Sequence, residues 1–96
     1  MLKQAKKYRI TIVFYLHDEV GSLLSILEIF KKFNVNLSRI ISMPDIEKEW
    51  QYKFFIEIEV NIGNERINEC LREIKSHTKN LSILGRYPLK NIDSNQ

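Results

Sequence analysis

The sequence is poor in the residues that carry most protein chemistry. Cysteine occurs once, at Cys70, so no disulfide can close within the chain, and a lone thiol fits a reducing compartment. His17 and His77 are the two histidines; neither stands at ligand spacing from the other or from Cys70, which leaves a zinc site without support. Three glycines and two prolines make no flexible linker, and neither a Walker A loop nor a GxGxxG motif is present to cradle a phosphate. No apolar run approaches the ~18 residues that span a bilayer, and the basic N-terminus adjoins no signal-peptide core. With 96 residues, 44% hydrophobic and 28% charged, the expectation is one soluble, cytoplasmic domain with a modest core.

Excess charge of one sign is missing too, once it is located. The formal charge is +3, from fifteen Lys and Arg against twelve Asp and Glu. Lys3, Lys6, Lys7 and Arg9 crowd the first nine positions, which leaves eleven basic residues against twelve acids, a balance of −1. A nucleic-acid surface needs clustered cations to neutralise phosphates. Residues 1–8 therefore read as a solvated tail or linker stub, and no nucleic-acid partner is expected.

What is present is periodicity. In Arg9–Leu16 the residues Ile10, Ile12, Phe14 and Leu16 alternate with Arg9, Thr11, Val13 and Tyr15, the period of a strand. His17–Gly21 breaks it, with Asp18 as candidate N-cap of a helix. Leu23, Leu24, Ile26, Leu27, Phe30 and Phe33 give that helix a broad apolar face, ending near Asn34. Leu37–Pro44 reads as a second strand; Leu37 and Ile40 cannot share a face in a regular strand, so a bulge is expected. Trp50–Val60 alternates most clearly, with Phe55 the one aromatic on its polar face. Asn64 is the candidate cap of a second helix carrying Ile67, Cys70, Leu71, Ile74 and Thr78. Leu81–Tyr87 is the last strand, and residues 89–96 form a polar tail.

The order β-α-β-β-α-β, with one apolar face on each helix, predicts an α+β, ferredoxin-like fold: a four-stranded antiparallel sheet with two helices on one face. Right-handed crossovers then put the first and third strands in the centre. No catalytic constellation emerges. Cys70 lies on an apolar helix face, where a thiol is inert, and Glu57 and Glu59 read as solvated surface. The one ligand-ready feature is the turn into the first helix, whose free amides suit an anion.

Together, LHDEVGSLLSILEIFKKFNVNLSRIISMP, WQYKFFIEIEV and ILGRYP resemble the ACT domain, over about residues 9–88. They are most similar to the kind found in prephenate dehydratase and aromatic amino acid hydroxylases. The family pattern is a D-x-P-G-x-L turn, an N-L-x-x-I strand ending in E-S-R-P, and an aromatic third strand of the W-x-Y-x-F-F type. The resemblance implies a regulatory, non-enzymatic module, without cofactor or metal, that binds an amino acid effector at the interface of a homodimer. In this branch the effector is phenylalanine. The turn of one subunit there meets the start of the second strand of the other. By position this implies Asp18, Gly21 and Leu23 in the turn, flanked by His17, Val20 and Ser22. Asn36, Leu37, Ser42, Met43 and Pro44 are the matching positions in the second strand. Three departures stand out: Val20 replaces the proline, while Ile41 and Met43 replace the glutamate and arginine of E-S-R-P. These imply weak phenylalanine binding or another effector, or else a dimerisation module that has lost its ligand.

Overall fold

The computed structural model describes residues 6–17, 20–48 and 51–89. Six elements follow in the order β1 (Lys7–His17), α1 (Val20–Lys32), β2 (Asn36–Pro44), β3 (Gln51–Asn61), α2 (Ile67–Ser76) and β4 (Lys79–Pro88). The strands form one sheet in the order β2-β3-β1-β4, antiparallel at every pairing. This is the ferredoxin-like βαββαβ arrangement expected from the pattern, with β1 and β3 central. Strand β1 begins at Lys7, two residues before the alternation becomes visible at Arg9.

Alternation divides the sheet into two faces. Ile10, Ile12, Phe14 and Leu16 of β1 lie opposite Ile58, Ile56, Phe54 and Tyr52 of β3. This apolar face receives Ile26, Ile29, Phe30 and Phe33 of α1, together with Ile67, Cys70, Leu71 and Ile74 of α2, in a single core. Phe14 and Phe54 stack within it at 5.7 Å between ring centroids. Burying side chains of this size is worth about 1.5–3 kcal/mol each, and it fixes the register, because a one-residue slip would turn every one of them to solvent.

Several local features differ from the sequence reading. Leu24 stands 55% exposed, because Ile26, Ile29, Phe30 and Phe33 define the buried stripe and Leu24 lies off it. Helix α2 starts at Ile67, not directly after Asn64. Instead, Asn64 spans the preceding turn: its Oδ1 accepts from the Arg66 backbone N–H at 3.1 Å and its Nδ2 donates to the Phe33 carbonyl at 3.2 Å. Thr78 lies beyond the last helical residue, where its hydroxyl donates to the Ile74 carbonyl at 3.1 Å. The proposed capping role of Asp18, and Trp50 at the head of the third strand, lie outside the described residues.

Helix α1 closes with two backbone bonds, Val35 N–H to Phe30 O at 2.9 Å and Asn34 N–H to Lys31 O at 3.0 Å. Asn34 takes a left-handed φ of 59°, a conformation asparagine tolerates better than most residues. This Schellman-type ending turns the chain directly into β2. There the bulge expected from Leu37 and Ile40 is found: the register shifts between Leu37 and Arg39, and Leu37 and Ile40 face Ile58 and Ile56 on the helix side.

Candidate functional site

The residues implied as a site fall at two ends of the molecule. At the end where β1 passes into α1, His17 is exposed and pairs with Gln51. Gly21 is exposed as well, and a Cβ built on it would meet nothing within 4 Å. Among the described residues no neighbour therefore requires glycine there. Ser22 and Leu23 are half-buried, Leu23 resting against the core. Asp18 lies outside the described residues, and so does the side chain of Val20.

Two strands away at the same end, Ser42 pairs with Phe54 on the helix side and Met43 pairs with Lys53 on the open side. Ile41 pairs with Phe55, also on the open side. The two positions where charged family residues are replaced by apolar ones therefore face away from the helices. Next to them, Asp45 ties down the end of the hairpin: its backbone N–H donates to the Gln51 carbonyl at 2.9 Å, and its Oδ2 accepts from Gln51 Nε2 at 3.3 Å.

Asn36 and Leu37 occupy the opposite end. Asn36 is exposed opposite Glu59, and Leu37 is half-buried opposite Ile58. Helix α1 has thirteen residues, which at about 1.5 Å per residue sets the turn before it about 20 Å from the start of β2. Within one chain these two groups cannot touch one small ligand.

A concavity of about 430 Å³ lies beside Asn36 and Leu37, also lined by Lys7, Lys31, Asn34, Glu59 and Asn61. Sequence reasoning passed over Lys7 and Asn61. Lys7 looks like part of the basic tail, and only the β1–β3 register sets it opposite Asn61. Glu59, read as solvated surface, is half-buried and paired with Arg9 Nη2 at 3.5 Å.

Elsewhere the chemistry is quiet. Cys70 is fully buried, and that burial pushes its thiol up to about 11, far from the thiolate a nucleophile needs. Among the described residues no cluster of His, Cys, Asp and Glu could hold a metal ion. No helix among them is long and apolar enough to cross a membrane.

Comparisons with known proteins agree with this fold. The bifunctional chorismate mutase/prephenate dehydratase of Aquifex aeolicus is 39% identical over 87 residues, which are 91% of this chain and 24% of that protein. The prephenate dehydratase of Methanocaldococcus jannaschii is 39% identical over 85 residues, 88% of this chain and 30% of the other. The chain thus spans less than a third of the length of these curated relatives. Among solved structures, prephenate dehydratase from Arthrobacter aurescens in complex with L-Phe superposes with a TM-score of 0.72 at 31% identity, covering 91% of this chain and 28% of that one. The family model for the ACT domain matches residues 10–76, from the first core residue of β1 to the last residue of α2, and the chain belongs to the ACT domain family.

Proposed function

We propose that this chain is a regulatory module that senses a free amino acid, with phenylalanine the first candidate, at the interface of two copies. On this reading it serves an enzyme of aromatic amino acid biosynthesis such as a prephenate dehydratase, in the cytoplasm, and carries no catalysis of its own. The observation that bears most weight is the roughly 20 Å between the two halves of the implied site, estimated from the helical rise. Two copies related by a two-fold axis running beside β2 would set the turn of each against the Asn36 end of the other. The ligand carboxylate would lie on the free amides that open α1, near the open space at Gly21. Asn36, which can both donate and accept, would hold the polar end from the other copy. The similarity to a prephenate dehydratase solved with L-Phe supports the effector class.

Ile41 and Met43 favour the second reading, a dimerisation module without ligand, because they lack the charges of the family motif. They stand on the open face of the sheet, as Asn36 does through its pairing with Glu59, whereas Leu37 and Ser42 face the helix side. The amino-acid-binding reading leads on the similarity to a prephenate dehydratase solved with L-Phe.

The test is a thermal-shift screen against the twenty amino acids followed by titration calorimetry. A ligand at a hundred times its Kd should stabilise the fold by about 2.7 kcal/mol. Asn36→Ala should weaken binding by about 1–3 kcal/mol, the cost of an unsatisfied buried partner, while the melting temperature without ligand stays put. Tight binding that Asn36→Ala leaves unchanged would refute the site. No shift with any amino acid would hand the case to the dimerisation reading.

A further inference from the structure

On the flank formed by α2 and β4, three cations converge where, among the described residues, no acid pairs with them. Arg72 and Lys75 project from α2, and Arg86 from β4, around a concavity of about 360 Å³ whose floor is Leu71, Leu81 and Ile83. Arg86 lies opposite Ile10, hence on the helix side of the sheet, at a position where this face otherwise carries apolar residues. All three cations are exposed, and among the described residues none of them has a hydrogen-bond or ion-pair partner.

The acids of α2 are committed to other positions. Glu73 receives Lys32 Nζ from α1 at 2.9 and 3.0 Å, and Glu69 is bonded twice by Arg66, at 3.1 and 3.3 Å. Helix α2 therefore bonds its acids towards α1, although Glu69 still feels the charge of Arg72, and among the described residues no acid lines the concavity towards β4. Cations on a strand edge commonly guard against aggregation, and Lys79 and Arg86 are placed to do so. That role does not call for Arg72 and Lys75 on a helix, converging on the same apolar floor. Like charges gathered around a half-buried apolar surface destabilise the isolated domain; an acidic partner would relieve them.

We infer that this flank docks an acidic, partly apolar segment of a partner protein, laid along the free edge of β4. Its carboxylates would meet Arg72, Lys75 and Arg86, and its apolar side chains would cover Leu81 and Ile83. The edge offers unpaired backbone groups for strand addition, and the apolar floor suits a peptide better than a phosphate backbone. This inference is independent of the amino-acid site, which lies on the other flank.

The experiment titrates the full chain into a fluorescein-labelled decapeptide in which Glu alternates with Leu and Ser, and reads fluorescence anisotropy. Saturable binding is expected, about tenfold weaker for the Gln-for-Glu peptide and for each of Arg72→Glu and Arg86→Glu (tenfold being about 1.4 kcal/mol). Ile40→Lys on the far edge should leave it unchanged. Absence of saturable binding, or equal binding of the Gln peptide, overturns the inference. So does a DNA duplex that binds as tightly and loses affinity in the same variants, which would assign the surface to nucleic acid. Arg86→Leu gives an independent readout. It should weaken peptide binding severalfold, less than Arg86→Glu does, while raising Tm by about 3 °C through relief of like-charge repulsion. A fall in Tm would show that the cations hold the fold together and would sink the proposal.

Discussion

The two outer strands of the sheet, β2 and β4, face the same hazard and treat it in opposite ways. Each presents a row of backbone groups without a neighbour, an invitation to pair with another chain. Strand β4 is defended. Its pairing with β1 is interrupted twice, between Thr11 and Ile12 and between Val13 and Tyr15. Asn80 sits at a left-handed φ of 53°, and Lys79 and Arg86 bring charge to the edge. On its open face the Tyr87 ring covers Gly85, whose Cβ position lies 3.5 Å from the ring, and the Tyr87 hydroxyl is 3.2 Å from Thr11 Oγ1. Strand β2 has one bulge near its start and then runs unbroken from Arg39 to Pro44. Ile40, Ile41 and Met43 are at least a third exposed, on both faces of the strand, and Arg39 is its one cation. An edge left this apolar fits the proposed pairing of two copies, whereas an edge bulged and ringed with cations repels a second copy of itself.

The largest effect should come from treating β2 as β4 is treated. Ile40→Lys with Ile41→Lys places like charges at the contact, and dimerisation measured by sedimentation should weaken at least a hundredfold, about 2.7 kcal/mol. Ile83→Lys on β4 should leave the association constant unchanged. If the two results exchange places, β4 is the dimer edge and the comparison is inverted.

A smaller effect tests how β4 guards itself. Tyr87→Phe removes from a partly exposed ring the hydroxyl that meets buried Thr11, and should cost about 0.5–1.5 kcal/mol in urea denaturation. The dimer constant should not move. A loss of dimerisation together with stability would mean that the open face near Tyr87 is itself an interface.

An effect confined to alkaline solution lies under α2, on the β4 side. Burial raises the Cys70 thiol to about 11, so the folded protein holds that proton more tightly than the unfolded chain. The associated stability is fully present below the ordinary thiol range, near pH 9, and is lost as pH rises towards 11. Denaturation midpoints of the native chain should fall more steeply across that interval than those of Cys70→Ala. Parallel slopes would show that Cys70 opens to solvent together with the β4 flank, blurring the difference between the edges.

The helix-side core was legible residue by residue, because alternation in β1 and β3 and the i, i+3, i+4 spacing in α2 are local consequences of the same burial. The bulge in β2 was legible for a related reason: Leu37 and Ile40 could both reach the core only if one residue were skipped. Leu24 was misread because spacing identifies an apolar side of a helix but not its centre, which depends on where the neighbouring layer presses. Of the site, the turn and the start of β2 could be named from the family pattern. That they lie at opposite ends of α1 follows from sequence order as well; that Ile41 and Met43 turn away from the helices could be known only from the register.

Element order, strand centrality and the inert setting of Cys70 were determined by the sequence itself, since each follows from hydrophobic periodicity and short connections. Tertiary structure alone decided which residues meet across the sheet. It set Lys7 beside Asn61, turned Ile41 and Met43 to the open face, and brought Arg86 to Arg72 and Lys75. These are contacts between positions far apart in the chain, fixed by register and layer packing, and a linear pattern carries no term for them.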